Sequence, residues 1–136
     1  SVGAELRENV DDVLFTGCEV IHDLGREWTL RVYHCDSARI SNVRFENLRI
    51  EETRRLISLW IGKAVWTRDE ARGHIDNVVF KDIRAVGKEP RVEFTGFSET
   101  NAIENVTLSN VAINGEPLKP EAIKSNAFVR NVKVVP

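Results

Sequence analysis

What the sequence lacks narrows its class before any motif is considered. No apolar run approaches the roughly 20 residues that a membrane-spanning helix requires. No signal-peptide pattern opens the chain, so any targeting segment is expected to be gone already. No window of ten or more residues carries apolar side chains at i, i+3 and i+4, which argues against a helical solenoid. The formal net charge is −2, with 19 basic and 21 acidic residues interspersed, so there is no basic face for nucleic acid. Only two cysteines occur, Cys18 and Cys35, and neither their spacing nor their neighbours suggest a metal site. Nor does any cluster offer the dense oxygen ligands of a calcium site. No cofactor is expected.

What is present is a repeat. An asparagine-centred phrase runs from Ile40 to Ile50, from Ile75 to Ile83 and from Ile103 to Ile113, with a degenerate copy at Val10–Val20 and a truncated one at Val129–Val134. Anchored on Val13, Val43, Val78, Val106 and Val132, the steps are 30, 35, 28 and 26 residues, a period that points to stacked units. Within a copy, Val43, Phe45, Leu48 and Ile50 alternate with Arg44, Glu46 and Arg49, the period-two pattern of strands. The interruption at Glu46-Asn47 reads as a tight turn joining two short strands, Asn42 to Phe45 and Leu48 to Ile50. A third strand lies upstream of each phrase, at Val2–Leu6, Trp28–Tyr33, Leu56–Ile61 and Arg91–Thr95, all rich in β-branched and aromatic residues. Three strands per period imply an all-β fold: a right-handed, single-stranded parallel β-helix, a pectin-lyase-like solenoid of about five coils.

In that arrangement Asn47, Asp82 and Asn110 share a bend, where side chains about 4.8 Å apart hydrogen-bond between coils and Gly17 ends the ladder. A second column, Asp12, Asn42, Asn77, Asn105 and Asn131, reflects either another ladder or turn propensity alone. Cys18 aligns with Leu48, Ile83 and Val111 and is expected to be a buried thiol; a Cys18–Cys35 disulfide stays open. Residues 1–136 read as one β-helix domain that starts mid-repeat. The expectation is a piece of a larger polysaccharide-active protein, with a neighbouring domain or self-association at its open first coil.

In such a fold the interior is filled, so chemistry belongs to outward side chains. If Leu30, Val32, Ile57, Leu59, Ile61, Val92 and Phe94 point inward, then Arg31, Tyr33, Ser58, Trp60, Glu93 and Thr95 point outward, joined by Gly3 and Glu5 from the first coil. Trp66 sits on the longest insertion and is expected to form a wall. Aromatic rings stack on pyranose faces while Arg and Glu hydrogen-bond hydroxyls, so Tyr33, Trp60, Arg31, Trp66, Glu93 and Glu5 are the candidate carbohydrate-binding residues. The alternative is that Trp60 and Trp66 merely pack together under the loop. Glu5 and Glu93 as an acid–base pair fall about three coils, near 14 Å, apart, too far for glycoside cleavage; no catalytic residue is assigned. His22-Asp23 and His34-Cys35-Asp36 would meet at a corner, for proton transfer or as local turn structure.

The repeat phrases, with Gly3-Ala4-Glu5 and the stretch Cys18-Glu19-Val20-Ile21-His22-Asp23, resemble the C-terminal coils of polygalacturonase-like, family 28-related glycoside hydrolases. The resemblance implies an extracellular protein that acts on polysaccharides. That family's catalytic aspartates, Gly-His-Gly and Arg-Ile-Lys do not carry over. Asp11-Asp12 falls in the turn column, Gly73-His74 is followed by Ile75, and Ala122-Ile123-Lys124 lacks the arginine. The expectation is therefore a carbohydrate-binding module for plant cell-wall polysaccharide of xylan or pectin type, not catalytic on its own. The alternative is the C-terminal segment of a glycosidase whose acidic cluster lies upstream. The partner is a polysaccharide or oligosaccharide, with no nucleic acid and no membrane.

Overall fold

The structure is a computed structural model that describes all 136 residues. Its strands are β1 (Val10–Val20), β2 (Leu30–His34), β3 (Arg39–Ile50), β4 (Arg55–Ile61), β5 (His74–Ala85), β6 (Arg91–Thr95), β7 (Ile103–Ile113), β8 (Glu116–Pro117), β9 (Ile123–Ser125) and β10 (Val129–Val135), and the only helical element is a 3-10 turn at Pro120–Ala122. No helix is long and apolar enough to cross a membrane.

The strands divide between two separate sheets, parallel throughout except that β8 runs antiparallel to β7. One has the order β1-β3-β5-β7-β10 with β8 attached to β7, and the other has the order β2-β4-β6-β9. This corrects the expected right-handed single-stranded β-helix of about five coils, with three strands per period: there are two sheets, of six and four strands. The physical reason lies in the bends. Asn42 and Asn47 both have left-handed backbone, at φ 55° and 54°, a conformation that asparagine tolerates better than most residues. Each occupies one residue and turns the chain without ending the strand, so β3 runs on through both positions. The expected pair of strands, Asn42 to Phe45 and Leu48 to Ile50, is one strand of twelve residues. Asp12, Asn77, Asp82, Asn105, Asn110 and Asn131 repeat the same conformation in the other long strands, and Gly17 supplies it in β1.

Each left-handed residue also resets the alternation. Along β3 the buried residues are Ile40, Val43, Phe45, Leu48 and Ile50, with a three-residue step across each asparagine. The register places Val13, Val43, Val78, Val106 and Val132 in one row, and Phe15, Phe45, Phe80, Leu108 and Val134 in another. The central members of these rows join the inward residues of the smaller sheet, Leu30, Val32, Ile57, Leu59, Ile61, Val92 and Phe94, in one core of 24 buried apolar residues, with Val13, Phe15, Val132 and Val134 partly buried against it. The rings of Phe15, Phe45 and Phe80 stack with centroids 5.0 and 5.1 Å apart.

The asparagine ladders are redistributed. In the column Asn47, Asp82, Asn110 only one rung forms, Asn110 Nδ2 donating to Asp82 Oδ1 at 2.8 Å. The second column combines left-handed backbone with bonding: Asn77 Nδ2 donates to Asn42 Oδ1 and Asn131 Nδ2 to Asn105 Oδ1, both at 2.6 Å. Cys18 pairs with Leu48 in register as aligned, yet it is exposed, because β1 is the edge strand and nothing covers its outer side. Cys35 is buried and both thiols are free, so there is no disulfide. Residues 2–6 do not form a regular strand; Val2 makes a single bridge to Val32, and beyond it the Ala4 and Leu6 carbonyls accept the N–H groups of Cys35 and Ala38.

Candidate functional site

The outer face of the four-stranded sheet carries two polar and aromatic rows. Register aligns Arg31 with Ser58, Glu93 and Lys124, and Tyr33 with Trp60 and Thr95. Alternation dictates this: with Leu30, Val32 and His34 buried, Arg31 and Tyr33 must face out, and β4 and β6 follow in step. These rows floor a cleft of about 370 Å³, which Glu27 and Trp28 flank before β2 and Lys63, Ala64 and Trp66 flank after β4. All three tryptophans of the chain and its one tyrosine thus line a single cleft.

Of the six candidate residues, the fold brings Arg31, Tyr33, Trp60, Trp66 and Glu93 together. Glu5 is not among the lining residues. The regular bridging that would have aligned it stops at Val2, with only the Ala4 and Leu6 carbonyls bonded beyond it, Gly3 takes a φ of 140°, and Glu5 pairs with Arg7 at 3.8 Å. Sequence reasoning missed Trp28, Glu27 and Lys63 as lining residues. Trp28 has the same parity as the inward Leu30, so alternation pointed it into the core; β2 begins only at Leu30, and the parity does not extend back to Trp28. Its signal was the composition of the cleft, a third tryptophan two residues before the strand.

The electrostatics of the cleft are largely settled internally. The Arg31 guanidinium stacks over the Tyr33 ring, 3.3 Å from the centroid, and is paired with Glu27. Arg91 lies 5.3 Å from the Trp28 ring centroid and 3.5 Å from the Glu93 carboxylate. One face of Tyr33 is therefore covered, and Trp28 already has a cation beside it. Trp66 is 46 % exposed, and Trp60 is half-buried. Trp60 lies against Gly62, where any Cβ would collide with its six-membered ring. The loop that carries Trp66 closes on itself, with Ala64 N–H donating to Thr67 Oγ1 at 2.8 Å and Thr67 N–H to Ala64 O at 3.0 Å.

The two histidine segments do not meet. His22 is exposed and pairs with Glu52, while Asp23 accepts the Thr29 hydroxyl at 2.8 Å. His34, Cys35 and Asp36 are all completely buried. Burial holds the His34 imidazole down at a pKa of about 4, against the raising effect of the Asp36 carboxylate, and neither ring nitrogen has a hydrogen-bond partner. Asp36 is held below its ordinary range by hydrogen bonds from the backbone of Asp69 and Arg68. No group of three or more His, Cys, Asp or Glu side chains is arranged to hold a metal ion. Comparison with protein-family models, curated proteins and solved structures finds no match for this chain.

Proposed function

We propose that the cleft binds carbohydrate, and that the chain is a recognition module for plant cell-wall polysaccharide of the xylan or pectin type. The observation that carries this reading is the gathering of Trp28, Trp60, Trp66 and Tyr33 on one rigid outer face, interleaved with Arg31, Lys63 and Glu93. Ring faces remove the apolar faces of pyranoses from water, and charged and hydroxyl groups at the rims take up sugar hydroxyls. A small organic cation is the other natural partner for an aromatic cluster. It is disfavoured here, because Arg31 and Arg91 already lie beside two of the rings. The Glu5–Glu93 pair gives no route to hydrolysis, since Glu5 lies outside the cleft and Glu93 is paired with Arg91. The resemblance of the repeat phrases to polygalacturonase-like glycoside hydrolases fits a module drawn from a polysaccharide-active, extracellular protein.

The test is affinity electrophoresis in gels containing xylan or polygalacturonate. The wild-type chain is expected to be retarded, with Trp60→Ala and Trp66→Ala each weakening binding roughly tenfold, the order expected for one ring stack. Unchanged mobility on every such polymer removes the reading. Release of reducing sugar by the isolated chain replaces it with an enzymatic one.

A further inference from the structure

We propose that Asp36 is the positioning residue for Trp66, the buried carboxylate that fixes the loop wall of the cleft to the strand that floors it. The inference rests on the carbohydrate reading for its ligand, but its structural core does not. Asp36 stands two residues beyond the end of β2, the strand that carries Arg31 and Tyr33. Its side chain is fully buried, and Oδ1 accepts the backbone N–H of Arg68 at 2.9 Å and of Asp69 at 2.8 Å. Both donors belong to the loop that presents Trp66. The attachment is reciprocal: Asp69 Oδ2 accepts the Ser37 N–H at 3.1 Å and its hydroxyl at 2.6 Å.

A carboxylate is costly to bury unless its acceptor sites are used, and hydrogen bonds to it are stronger than those to neutral acceptors. Here the bonds from loop amides to Asp36 tie two segments more than 30 residues apart in sequence. Within the loop, the bonds between Ala64 and Thr67 close the turn that carries Trp66, so fixing residues 68 and 69 restricts the backbone from which the indole projects. Without the clamp, the loop would have to order itself at each binding event, and that ordering lowers affinity. This places the His34-Cys35-Asp36 segment outside the binding surface and in charge of its shape.

The experiment separates the clamp from the ligand. In a Trp28→Phe/Trp60→Phe background, Trp66 is the only tryptophan, and acrylamide quenching reports its exposure without any glycan. Asp36→Ala is expected to raise the quenching constant about twofold and to abolish slow amide exchange at positions 68 and 69, with Asp36→Asn intermediate. Should Asp36→Ala not fold, Asp69→Ala, which removes the acceptor of both Ser37 bonds and so breaks the reciprocal latch, is expected to shift quenching in the same direction. Quenching and exchange unchanged in the variants overturn the proposal. In the otherwise native chain, the affinity losses of Asp36→Ala and Trp66→Ala for xylan or polygalacturonate are expected to be non-additive, because Asp36 acts through Trp66; strictly additive losses overturn it. A wild-type chain that binds neither polymer defeats the carbohydrate reading alone, and the quenching and exchange results then decide Asp36.

Discussion

His34 and Asp36 stand two residues apart, both without exposed surface, and they respond to acid in successive ranges. The folded pKa of His34 is lowered to about 4, below the ordinary value of 6.5, chiefly by burial. The unfolded chain therefore takes up the proton first. The contribution of neutral His34 to stability is complete above pH 6.5 and is lost as pH falls from there toward 4, up to a limit of about 3 kcal/mol. Asp36 is also lowered, by hydrogen bonds from Asp69 and Arg68, so its contribution is present above its ordinary value and is lost only at still lower pH. Thermal unfolding followed by circular dichroism is expected to show the melting temperature dropping between pH 6.5 and 4. His34→Leu should flatten that segment of the profile. The same drop in the variant would assign it to other groups.

At the scale of the strand, the bends are single residues with left-handed backbone, and side-chain identity there has a calculable cost. Asn77 has φ 55° and donates to Asn42 at 2.6 Å. Asn77→Gly loses the side-chain bond but keeps the backbone free, a loss of about 1 kcal/mol. Asn77→Ala loses the bond and adds about 1–2 kcal/mol for placing a Cβ at positive φ. Urea unfolding is expected to rank wild type, Gly and Ala in that order; Ala at least as stable as Gly would mean that φ is not what selects asparagine at this bend.

The same bends explain how much could be read from the chain. The repeat phrase fixed the register, because Val13, Val43 and Val78 sit in one row as aligned, although alternation divides each phrase into two short strands where there is one. The crowding of β-branched and aromatic residues identified β4 and β6 within a residue of their ends. What alternation misread was Asn47, because a break in it looks the same whether the strand stops or turns by one residue, and the two cases give different numbers of strands and sheets. The outward column of β2, β4 and β6 was legible for the same reason of parity, which is why Arg31, Tyr33, Trp60 and Glu93 fall together. Parity fails outside strands. It drew Glu5 into the face across a segment that is not a regular strand, and it hid Trp28. The burial of Asp36 depends on two amides in a loop more than 30 residues away, which no local pattern encodes.

For the molecule as a whole, the parallel stacking of the long strands makes stability a matter of position along the stack. Phe45 is 1 % exposed and lies between the rings of Phe15 and Phe80, which it meets at 5.0 and 5.1 Å nearly in parallel. Phe15 occupies the same row but belongs to β1, the edge of the six-stranded sheet, and is only half-buried, with one ring neighbour instead of two. Removing a ring from the middle leaves a cavity that the strands on either side, fixed by their own ladders, cannot close. Removing it from the edge leaves a gap that water can reach. Phe45→Ala is accordingly expected to cost about 3–5 kcal/mol and Phe15→Ala about half of that, measured by urea unfolding. Amide exchange should follow the same gradient, slowest in β3, β5 and β7 and fastest in β1 and β10, because local opening begins where fewest buried contacts must be broken. Equal losses from Phe15 and Phe45 would mean that the stack unfolds as one block, with its edge strand held as tightly as its centre.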